Sequence, residues 1–376
     1  MKYNSSTLRQ GFTTGSAAAA AAKAAIIHLV FGHSCTSVNI PVPPGAPLDD
    51  TTRLDIPLAR VWAISQEESA ALVIKDGGDD PDATHRARIS CRASRINHTQ
   101  PCDIIVEGGR GVGRVTLPGL PVPVGHAAIN PAPLAQIKRA VAEVSPTLPG
   151  LRLVIEVEDG ETIAQKTLNP RLGIVGGISI LGTSGIVVPY SSEAWKAAID
   201  ESLSVARAQG ITTIFLTTGR KSERFLRNRN PHAPAIAYVH MADYVGHTVS
   251  AVTRAGFHDM VFGLFFGKLV KISQQYAHTH AHVSHIDFSA IAKTALQCGI
   301  PEEITRRIET AVTARHVLEL VAGCAEASHF IDTIGQSALA FLTTLSPLPK
   351  RLHVFDFDGT ILWESDAVPK EHTINV

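Results

Sequence analysis

The chain is poor in charged residues, and the charge it carries is balanced. Only 18% of its 376 residues are charged, and 34 Lys and Arg stand against 34 Asp and Glu, so the formal net charge at pH 7 is zero. A neutral chain gives no electrostatic case for nucleic acid or for an anionic membrane surface as a partner. Local basic groups remain available for a small anionic substrate. The length and the 45% hydrophobic content predict two domains with substantial cores.

Cysteine is scarce as well. The five cysteines are Cys35, Cys91, Cys102, Cys298 and Cys324. Their number is odd, and no two of them form a CxxC pair. The pattern therefore argues against a disulfide scaffold and favours a reducing compartment.

Long hydrophobic runs are missing apart from an Ala-rich stretch from Ala17 to Val30. Lys23 and His28 interrupt it, and the residues before it are rich in Thr and Gly. We interpret it as a helix of a soluble domain, too short and too polar for a bilayer span, and not as a signal peptide. No other segment is a spanning candidate, so the sequence predicts a cytoplasmic protein without a membrane partner.

The first half of the chain has the pattern of an α+β domain. Thr13, Thr14 and Ser16 offer cap oxygens to a helix over 13–31. Strands and turns dominate from about 54 to 157. The clearest predicted strands are 71–75, 86–92 and 104–107, and the clearest helix follows Asn130-Pro131 and runs through 132–144.

The second half has the pattern of an α/β domain. Short hydrophobic segments predict buried strands at 174–180, 212–216, 235–240 and 260–265. The helical patterns between and after them cover 192–209, 222–229, 243–255 and then all of 288–347. Such alternation is typical of a parallel sheet covered by helices. The change of pattern between about 170 and 192 divides the chain into domains 1–190 and 191–376.

Two segments of the first domain indicate polar chemistry. The Gly11–Ser16 segment leads into the Ala-rich helix, where free backbone N–H groups would face a ligand; an ordinary capped helix is the alternative. Residues 75–84 place four aspartates beside Gly77-Gly78. That cluster would hold a cation, move protons or bind polar edges of a substrate, or it would be a solvated acidic turn.

Glycine-rich loops offer further candidate sites. Arg110 and Arg114 lie in such a loop and would clamp carboxylates, although the loop lacks a dinucleotide fingerprint. The loops 182–185 and 217–220 each follow a hydrophobic segment. Loops at the carboxyl ends of parallel strands bind ligands in open α/β sheets, so these two loops predict a shared crevice.

Two later segments, 268–285 and 355–360, each resemble a site that we do not predict there. Lys268 and Lys271 precede histidines at 278, 280, 282 and 285, of which the first three would share one face of a strand. Neither a C2H2 nor an HExxH pattern is present, so an anionic ligand is a better interpretation than a protein-bound metal. The segment 355–360 (FDFDGT) imitates a phosphatase nucleophile loop, but only 16 residues follow it. We interpret it as a terminal strand and turn.

Taken together, these segments resemble one family, the cobalt-precorrin-5B C1-methyltransferases (the CbiD family) of anaerobic cobalamin synthesis. The resemblance rests on segments that follow the family order, namely 8–25, 75–85, 109–133, 167–187, 217–225, 240–247, 265–272 and 279–287. The chain departs from the family pattern at Ala17, Arg86, His126, Val188 and Tyr190. The family usually has cysteine at the first of these positions, which argues against a catalytic cysteine there.

The resemblance implies a fold and a reaction. The implied fold is a permuted ribosomal-S5-domain-2-like α+β domain followed by a small Rossmann-like α/β domain with a four-stranded parallel sheet and C-terminal helices. The implied reaction moves a methyl group from S-adenosylmethionine to carbon 1 of the corrinoid, giving cobalt-precorrin-6A. Cobalt would arrive inside the substrate, so no metal site of the protein is implied.

The resemblance also suggests residue roles. Candidates for catalysis are Asp79, Asp80 and Thr84. Candidates for S-adenosylmethionine are Gly182, Thr183, Ser184, Gly185, Thr217, Thr218 and Gly219, with Glu223 and Asp243 for its ribose or amino groups. Candidates for the corrinoid and its carboxylates are Thr13, Thr14, Arg110, Arg114, Arg220, Lys268 and His280. With 6% aromatic residues, no stacking platform for the macrocycle stands out.

Three questions stay open at the level of sequence. A small-molecule kinase of the galactokinase-like class is an alternative, because Gly-Ser-Ala-Ala before an Ala-rich helix resembles its phosphate loop. A corrinoid-binding protein without turnover is another. A homo-oligomer is possible.

Overall fold

The computed structural model describes residues 8–49, 51–96, 103–144 and 150–365. The chain forms two compact units, Met1–Ser192 and Glu193–Val376. Cys102 lies outside the described residues, and the other four cysteines are free thiols, as predicted. Helices and sheets both occur, so the fold mixes α and β structure.

The N-terminal unit is built on a five-stranded sheet with the order β4-β5-β6-β10-β7, in which only β10 and β7 are parallel. Its strands are β1 (Gly11–Phe12), β2 (Ser37–Pro41), β3 (Arg53–Pro57), β4 (Arg60–Ala63), β5 (Glu68–Ile74), β6 (Arg88–Arg95), β7 (Ile104–Gly108), β8 (Gly111–Val112), β9 (Arg114–Val115), β10 (Leu151–Val157), β11 (Ile174–Val175), β12 (Gly177–Ile178) and β13 (Ile186–Val187). Its helices are α1 (Thr14–Phe31), α2 (Pro131–Ala142) and α3 (Gly160–Ala164). The predicted strands and both predicted helices of this half are confirmed, with shifts of a few residues at their ends.

Helix α1 forms the centre of this unit. Eight of its alanines are fully buried, because their small side chains let β5, β6 and α2 approach the helix closely. Thr13 caps the helix by accepting a hydrogen bond from Ser16 N, and Gly32 ends it in the left-handed conformation. With 18 residues and a mean hydropathy of 1.4, α1 is long and apolar enough to span a membrane, so the prediction that it is too short and too polar is wrong. However, 67% of it is buried inside the unit, as expected of a core helix.

The Glu143 carboxylate links α2 to α1 and β3 through ion pairs. Glu143, at the end of α2, lies 2.7 Å from both Lys23 of α1 and Arg53 of β3. The Arg53 hydrogen bond, together with Lys23, lowers the pKa of Glu143 to about 2. A lowered carboxyl pKa contributes stability that is complete above the ordinary value and is lost as the pH falls through the lowered one.

We therefore expect Glu143→Gln to lower the melting temperature of the N-terminal unit at pH 7. Between about pH 4.5 and 2, the melting temperature of the variant is expected to fall less with decreasing pH than that of the wild type. Thermal unfolding at a series of pH values measures both effects. Glu107→Gln is the matched control, because Glu107 pairs with Arg152 on an exposed surface. An equal acid sensitivity in wild type and Glu143→Gln would contradict the expectation.

The C-terminal unit has a sheet with the order β15-β14-β16-β17-β18, of which the first four strands are parallel. The strands are β14 (Thr213–Thr217), β15 (Tyr238–His240), β16 (Asp259–Phe265), β17 (Lys350–Phe355) and β18 (Ile361–Glu364). The helices are α4 (Ser192–Ala208), α5 (Arg220–Arg229), α6 (Val245–Arg254), α7 (Phe266–Ser273), α8 (Phe288–Gln297), α9 (Glu302–Glu309), α10 (Ala314–Val321) and α11 (Ala327–Leu345). The predicted alternation and the helical stretch over 288–347 are confirmed.

The membership of the parallel sheet differs from the prediction at one strand. Residues 174–180 form only the short strands β11 and β12, which pair with β9 and β8 of the N-terminal unit. The fourth parallel strand is β17, which pairs with β16. A hydrophobic segment near a domain boundary has the same pattern in either sheet, and only the long-range pairing assigns it. The predicted strand and turn at 355–360 is confirmed as the connection from β17 to β18.

Candidate active site

Three of the sequence motifs, Gly11–Ser16, the acidic turn 75–84 and the 181–187 segment, meet at the N-terminal end of α1. Strand β1 pairs with β13 on one side, and on the other Phe12 N donates to Asp76 O at 2.8 Å. The backbones touch so closely that a Cβ on Gly11 would lie 2.3 Å from Asp76 O, and one on Gly78 would lie 2.1 Å from Arg9 O. The glycines of both motifs are therefore required for this contact.

The loop after β12 closes the end of α1. Gly15 N donates to Leu181 O at 3.1 Å, and Ser16 N donates to Thr13 Oγ1 at 3.1 Å. Thr13 N donates to Gly185 O, and the Thr14 hydroxyl bonds to Ser179 O and Leu181 O. The prediction that this turn offers free N–H groups to a ligand is wrong for Gly15 and Ser16. The same bonds remove the basis for a kinase-like phosphate loop, and they give Thr13 and Thr14 a structural role.

These contacts also correct the predicted position of residues Gly182, Thr183, Ser184 and Gly185. That loop belongs to the N-terminal unit, and it does not follow a strand of the parallel sheet that carries Thr217, Thr218 and Gly219. The two loops therefore do not form the crevice of one sheet. The error follows from assigning 174–180 to the wrong sheet.

The acidic turn contains a buried ion pair. The Lys75 side chain is 1% exposed and pairs with Asp82, which also accepts hydrogen bonds from the backbone and the hydroxyl of Thr84. Burial alone would raise the pKa of Asp82, but Lys75 and Thr84 offset that effect and lower it. Thr84, predicted to be catalytic, thus supports this ion pair.

The two predicted catalytic aspartates have backbone partners. Asp79 accepts a hydrogen bond from Arg9 N at 2.7 Å, and Asp80 accepts one from Tyr190 N at 2.8 Å. Tyr190 has a positive φ of 57°, a conformation that is uncommon for a residue other than glycine. Asp79 remains exposed, so its second oxygen faces solvent. The turn is therefore an ordered acidic surface and not a loose solvated loop.

Arg110 and Arg114 are both exposed. The glycines around them allow close backbone contacts, since a Cβ on Gly111 would lie 1.9 Å from Val157 O. Arg114 donates to Gly125 O. The structure thus places two guanidinium groups at the surface of the N-terminal unit.

A cleft of about 790 Å³ opens in the C-terminal unit at the carboxyl ends of β14, β16 and β17. Its lining consists of Thr218, Gly219, Arg220, Lys221, Ser222, Phe265, Phe266, Gly267, Lys268, Lys271, Ile286, Val312, Thr313, Ala314, Arg315, Leu318, Phe355, Asp356, Phe357 and Leu362. The strand order reverses between β14 and β16, which is where open α/β sheets bind ligands. Of the predicted residues, Thr218, Gly219, Arg220 and Lys268 meet in this cleft.

Two helices start at the cleft with no side-chain cap. Helix α5 follows Gly219, and α7 follows Phe265. Their positive dipole ends favour an anionic group. Five basic side chains and one acidic side chain line the cleft, which gives it the same preference.

Gly219 leaves room at the mouth of α5. Its backbone is extended (φ 163°), and a Cβ built on it would have no heavy atom within 4 Å. Neither the backbone nor the packing of the unit therefore requires a glycine here. The open space faces the cleft, so a ligand that enters the cleft would explain the missing side chain.

Lys268 and Asp243, which were predicted to bind different ligands, form an ion pair with each other. Lys268, on α7, pairs with Asp243, and Thr279 donates to the same carboxylate at 2.9 Å. Burial opposes ionisation of Asp243, but Lys268 and Thr279 lower its pKa. Burial and the charge of Lys268 also lower the pKa of Lys271, whose ammonium donates to Thr279 O at 2.8 Å. Asp243 thus orients Lys268 at the cleft wall, while the Thr279 carbonyl orients Lys271.

The other predicted residues of this unit lie elsewhere. Glu223 is 6% exposed and pairs with Arg227 and His240, and it does not line the cleft. Thr217 is fully buried below the Thr218–Gly219 turn. The histidines at 278, 280 and 282 lie in a loop and not in the predicted strand. The His278 ring stacks on Tyr244 with centroids 4.9 Å apart, and the His280 ring follows at 6.2 Å.

Sequence reasoning missed the aromatic part of the cleft. Phe265 and Phe357 stack with centroids 5.0 Å apart, and Lys221 and Arg315 lie against the Phe357 ring. The signal was present in the FDFDGT segment, which follows a hydrophobic strand. The sequence predicts the strand and turn there, but not that the strand pairs with β16 and so brings the turn to the cleft. Among the described residues, no group of three or more His, Cys, Asp or Glu side chains is placed to hold a metal ion.

Comparison with known proteins places the chain in a family. The sequence profile of CbiD matches residues 1–189, and that of the CbiD C-terminal domain matches residues 278–366. A protein of Nitratidesulfovibrio vulgaris named cobalt-precorrin-5B C(1)-methyltransferase is 44% identical over 94% of this chain and 92% of its own length. Proteins of the same name from Geobacillus kaustophilus and a Polaromonas species are 43% and 38% identical, covering 85% and 95% of this chain and 84% and 97% of their own lengths.

A solved structure is also similar in sequence. The crystal structure of the cobalamin biosynthesis protein CbiD from Archaeoglobus fulgidus is 26% identical, covers 70% of this chain and 78% of its own, and superimposes with a TM-score of 0.38. The family assignment rests on the profiles and the curated relatives, which extend over both units. By those matches, this chain belongs to the CbiD family.

Proposed function

We propose that the chain transfers a methyl group from S-adenosylmethionine to carbon 1 of cobalt-precorrin-5B, giving cobalt-precorrin-6A in anaerobic cobalamin synthesis. The relatives that carry this name match over both units at 38–44% identity. The observation on this chain that carries the proposal is the cleft at the carboxyl edge of the parallel sheet, with open space beside Gly219. The cobalt ion belongs to the substrate.

A finer assignment of the fold accompanies this proposal. The order β15-β14-β16-β17, with all four strands parallel, supports a Rossmann-like C-terminal unit. Helix α1 on a mostly antiparallel sheet, with α2 packed on α1, supports a permuted ribosomal-S5-domain-2-like N-terminal unit. In a Rossmann-like unit the ligand crevice lies where the strand order reverses, and the cleft of this unit lies at that point.

The Thr218–Gly219 turn and the apolar side chains of the cleft support a site for S-adenosylmethionine, while the basic side chains suit carboxylates. When bound, this cosubstrate supplies a methyl group already activated on a sulfonium. The Thr218–Gly219 turn would hold it, since Gly219 leaves space and Ser222 fixes the turn by bonding to Thr218 N at 3.1 Å. The apolar side chains of Phe265, Phe266 and Val312 would exclude water from the reacting atoms.

The basic side chains would receive the carboxylates of the ligands. Lys268 is held by Asp243 at the cleft wall, and Arg220 is exposed at the start of α5. In the N-terminal unit, Arg110 and Arg114 stay proposed contacts for the corrinoid rim, supported by their exposure. Asp79 and Asp80 stay proposed catalytic residues on the corrinoid side, supported by their fixed positions in the acidic turn.

Binding of S-adenosylhomocysteine tests the proposal. We expect saturable, micromolar binding in calorimetry, weakened about 10- to 100-fold in Gly219→Val, because the added side chain fills the space beside the turn. Gly323→Val is the matched control, since a Cβ there is also unobstructed and Gly323 lies outside the cleft. Absence of binding to the free wild-type chain and to its corrinoid complex would refute the proposal. Corrinoid binding without methyl transfer would indicate a carrier instead.

A further inference from the structure

The turn between β17 and β18 is an ordered part of the cleft. Asp356 N donates to Thr360 O at 2.8 Å, and Phe357 N donates to the Asp356 carboxylate at 2.7 Å. The turn also packs on α5, because a Cβ on Gly359 would lie 2.8 Å from the ring of Phe225. These contacts hold Phe357 in place at the end of β17. Its ring is therefore presented to the cleft by a fixed support.

Phe357 remains open on that support. Its ring lies 5.0 Å from that of Phe265 at an interplanar angle of 15°, and the residue is still 46% exposed. Val312, in the same cleft, is 81% exposed. Exposed apolar side chains gathered in one concave site indicate a ligand with an apolar face.

Two cations lie over the partly exposed ring of Phe357. Lys221 Nζ and Arg315 Cζ each lie 5.1 Å from the Phe357 centroid. Arg315 also pairs with Glu319 at 2.9 Å, and the charge of Lys221 helps to lower the pKa of the exposed Asp358 carboxyl. The charge of the whole lining is positive, with five basic side chains and one acidic side chain. These features favour a ligand that has a flat, apolar face and carries negative charges at its edge.

Resting on the proposed function, we infer that Phe357 is a stacking platform for the ring of a polycarboxylate tetrapyrrole, with Lys221 and Arg315 binding carboxylates at its rim. Aromatic faces pack on flat conjugated systems, and guanidinium and ammonium groups pair with carboxylates. The adenine of the cosubstrate is the other flat group available. Adenine carries no negative charge, so the two flanking cations favour the tetrapyrrole.

The test uses an octacarboxylate porphyrin as the probe, titrated into the full chain without cosubstrate and followed by its absorbance. We expect Phe357→Ala to weaken binding about tenfold and Phe357→Tyr to retain it, because the ring face is the contact. Arg315→Gln is expected to weaken binding and to reduce its dependence on salt. Trp195→Ala removes another exposed aromatic residue of this unit, and Arg306→Gln removes another exposed arginine in an i,i+4 pair, so both are controls without an expected effect.

The outcomes separate the inference from the proposed function. Unchanged porphyrin binding in Phe357→Ala, or no porphyrin binding by wild type, overturns the inference while S-adenosylhomocysteine binding still supports the methyltransferase. A loss of S-adenosylhomocysteine binding in Phe357→Ala, with porphyrin binding intact, assigns the ring to adenine and also overturns it. Melting temperatures close to that of wild type show that each variant is folded.

Discussion

Replacing Lys75 by Met is expected to lower the free energy of unfolding of the N-terminal unit by about 3–5 kcal/mol. The Lys75 side chain is 1% exposed, and the Asp82 side chain is 19% exposed. Removing the ammonium leaves the carboxylate without the partner that compensates for its burial. Urea unfolding, followed by a probe in the N-terminal unit, measures the change.

The pH dependence of this variant identifies the cause. In the wild type the pKa of Asp82 is lowered, so the pair contributes stability above the ordinary carboxyl pKa and loses it as the pH falls through the lowered value. In Lys75→Met the charge of Lys75 no longer offsets the effect of burial, so we expect the pKa of Asp82 to rise. The variant is therefore expected to be relatively less destabilised at acid pH, where that carboxyl is protonated.

Two further variants separate pairing from packing. Adding Asp82→Asn to Lys75→Met removes the unpaired charge and is expected to recover part of the lost stability. Arg88→Met breaks an exposed pair with Glu158 and is expected to cost less than about 1 kcal/mol. If Lys75→Met costs no more than Arg88→Met, the buried pair does not stabilise the unit.

The second large effect is expected at Lys268. Lys268→Met leaves Asp243 half-buried without its cation, and it removes a basic group from the cleft wall. Loss of one member of such a pair costs about 2–5 kcal/mol, which lowers kcat/KM for methyl transfer by about 30- to 4,000-fold when the whole cost falls on catalysis. Steady-state kinetics with a cobalt-precorrin substrate, together with thermal unfolding, measures the effect.

Lys271→Met is the matched control for this effect. Lys271 also lines the cleft, but its ammonium donates to a backbone carbonyl and not to a carboxylate. We expect a much smaller loss, because no charge is left unpaired. Lys268→Arg keeps the charge and is expected to retain part of the activity. Equal losses in Lys268→Met and Lys271→Met would show that the Asp243 pair has no special role.

Much of the candidate site could be predicted from the sequence because its motifs are local. Thr218, Gly219 and Arg220 follow a predicted strand, and the loop after a parallel strand is a ligand position in any open α/β sheet. Phe357 follows a strand in the same way. It was not predicted, because nothing local shows that β17 pairs with β16 and that the turn after it reaches the same edge.

Helix α1, with its alanines and its Thr13 cap, and the alternation of strands and helices after residue 192 could both be predicted from the amino-acid sequence. Both follow from short-range periodicity and capping. The folded structure was needed to show that β17 and not 174–180 completes the parallel sheet, and that the loop of Gly182 and Gly185 closes the start of α1. It also decided that Lys268 and Asp243 form one pair. The physical reason is that such contacts join residues far apart in the chain, whose partners are selected by long-range backbone pairing and burial and leave no local pattern.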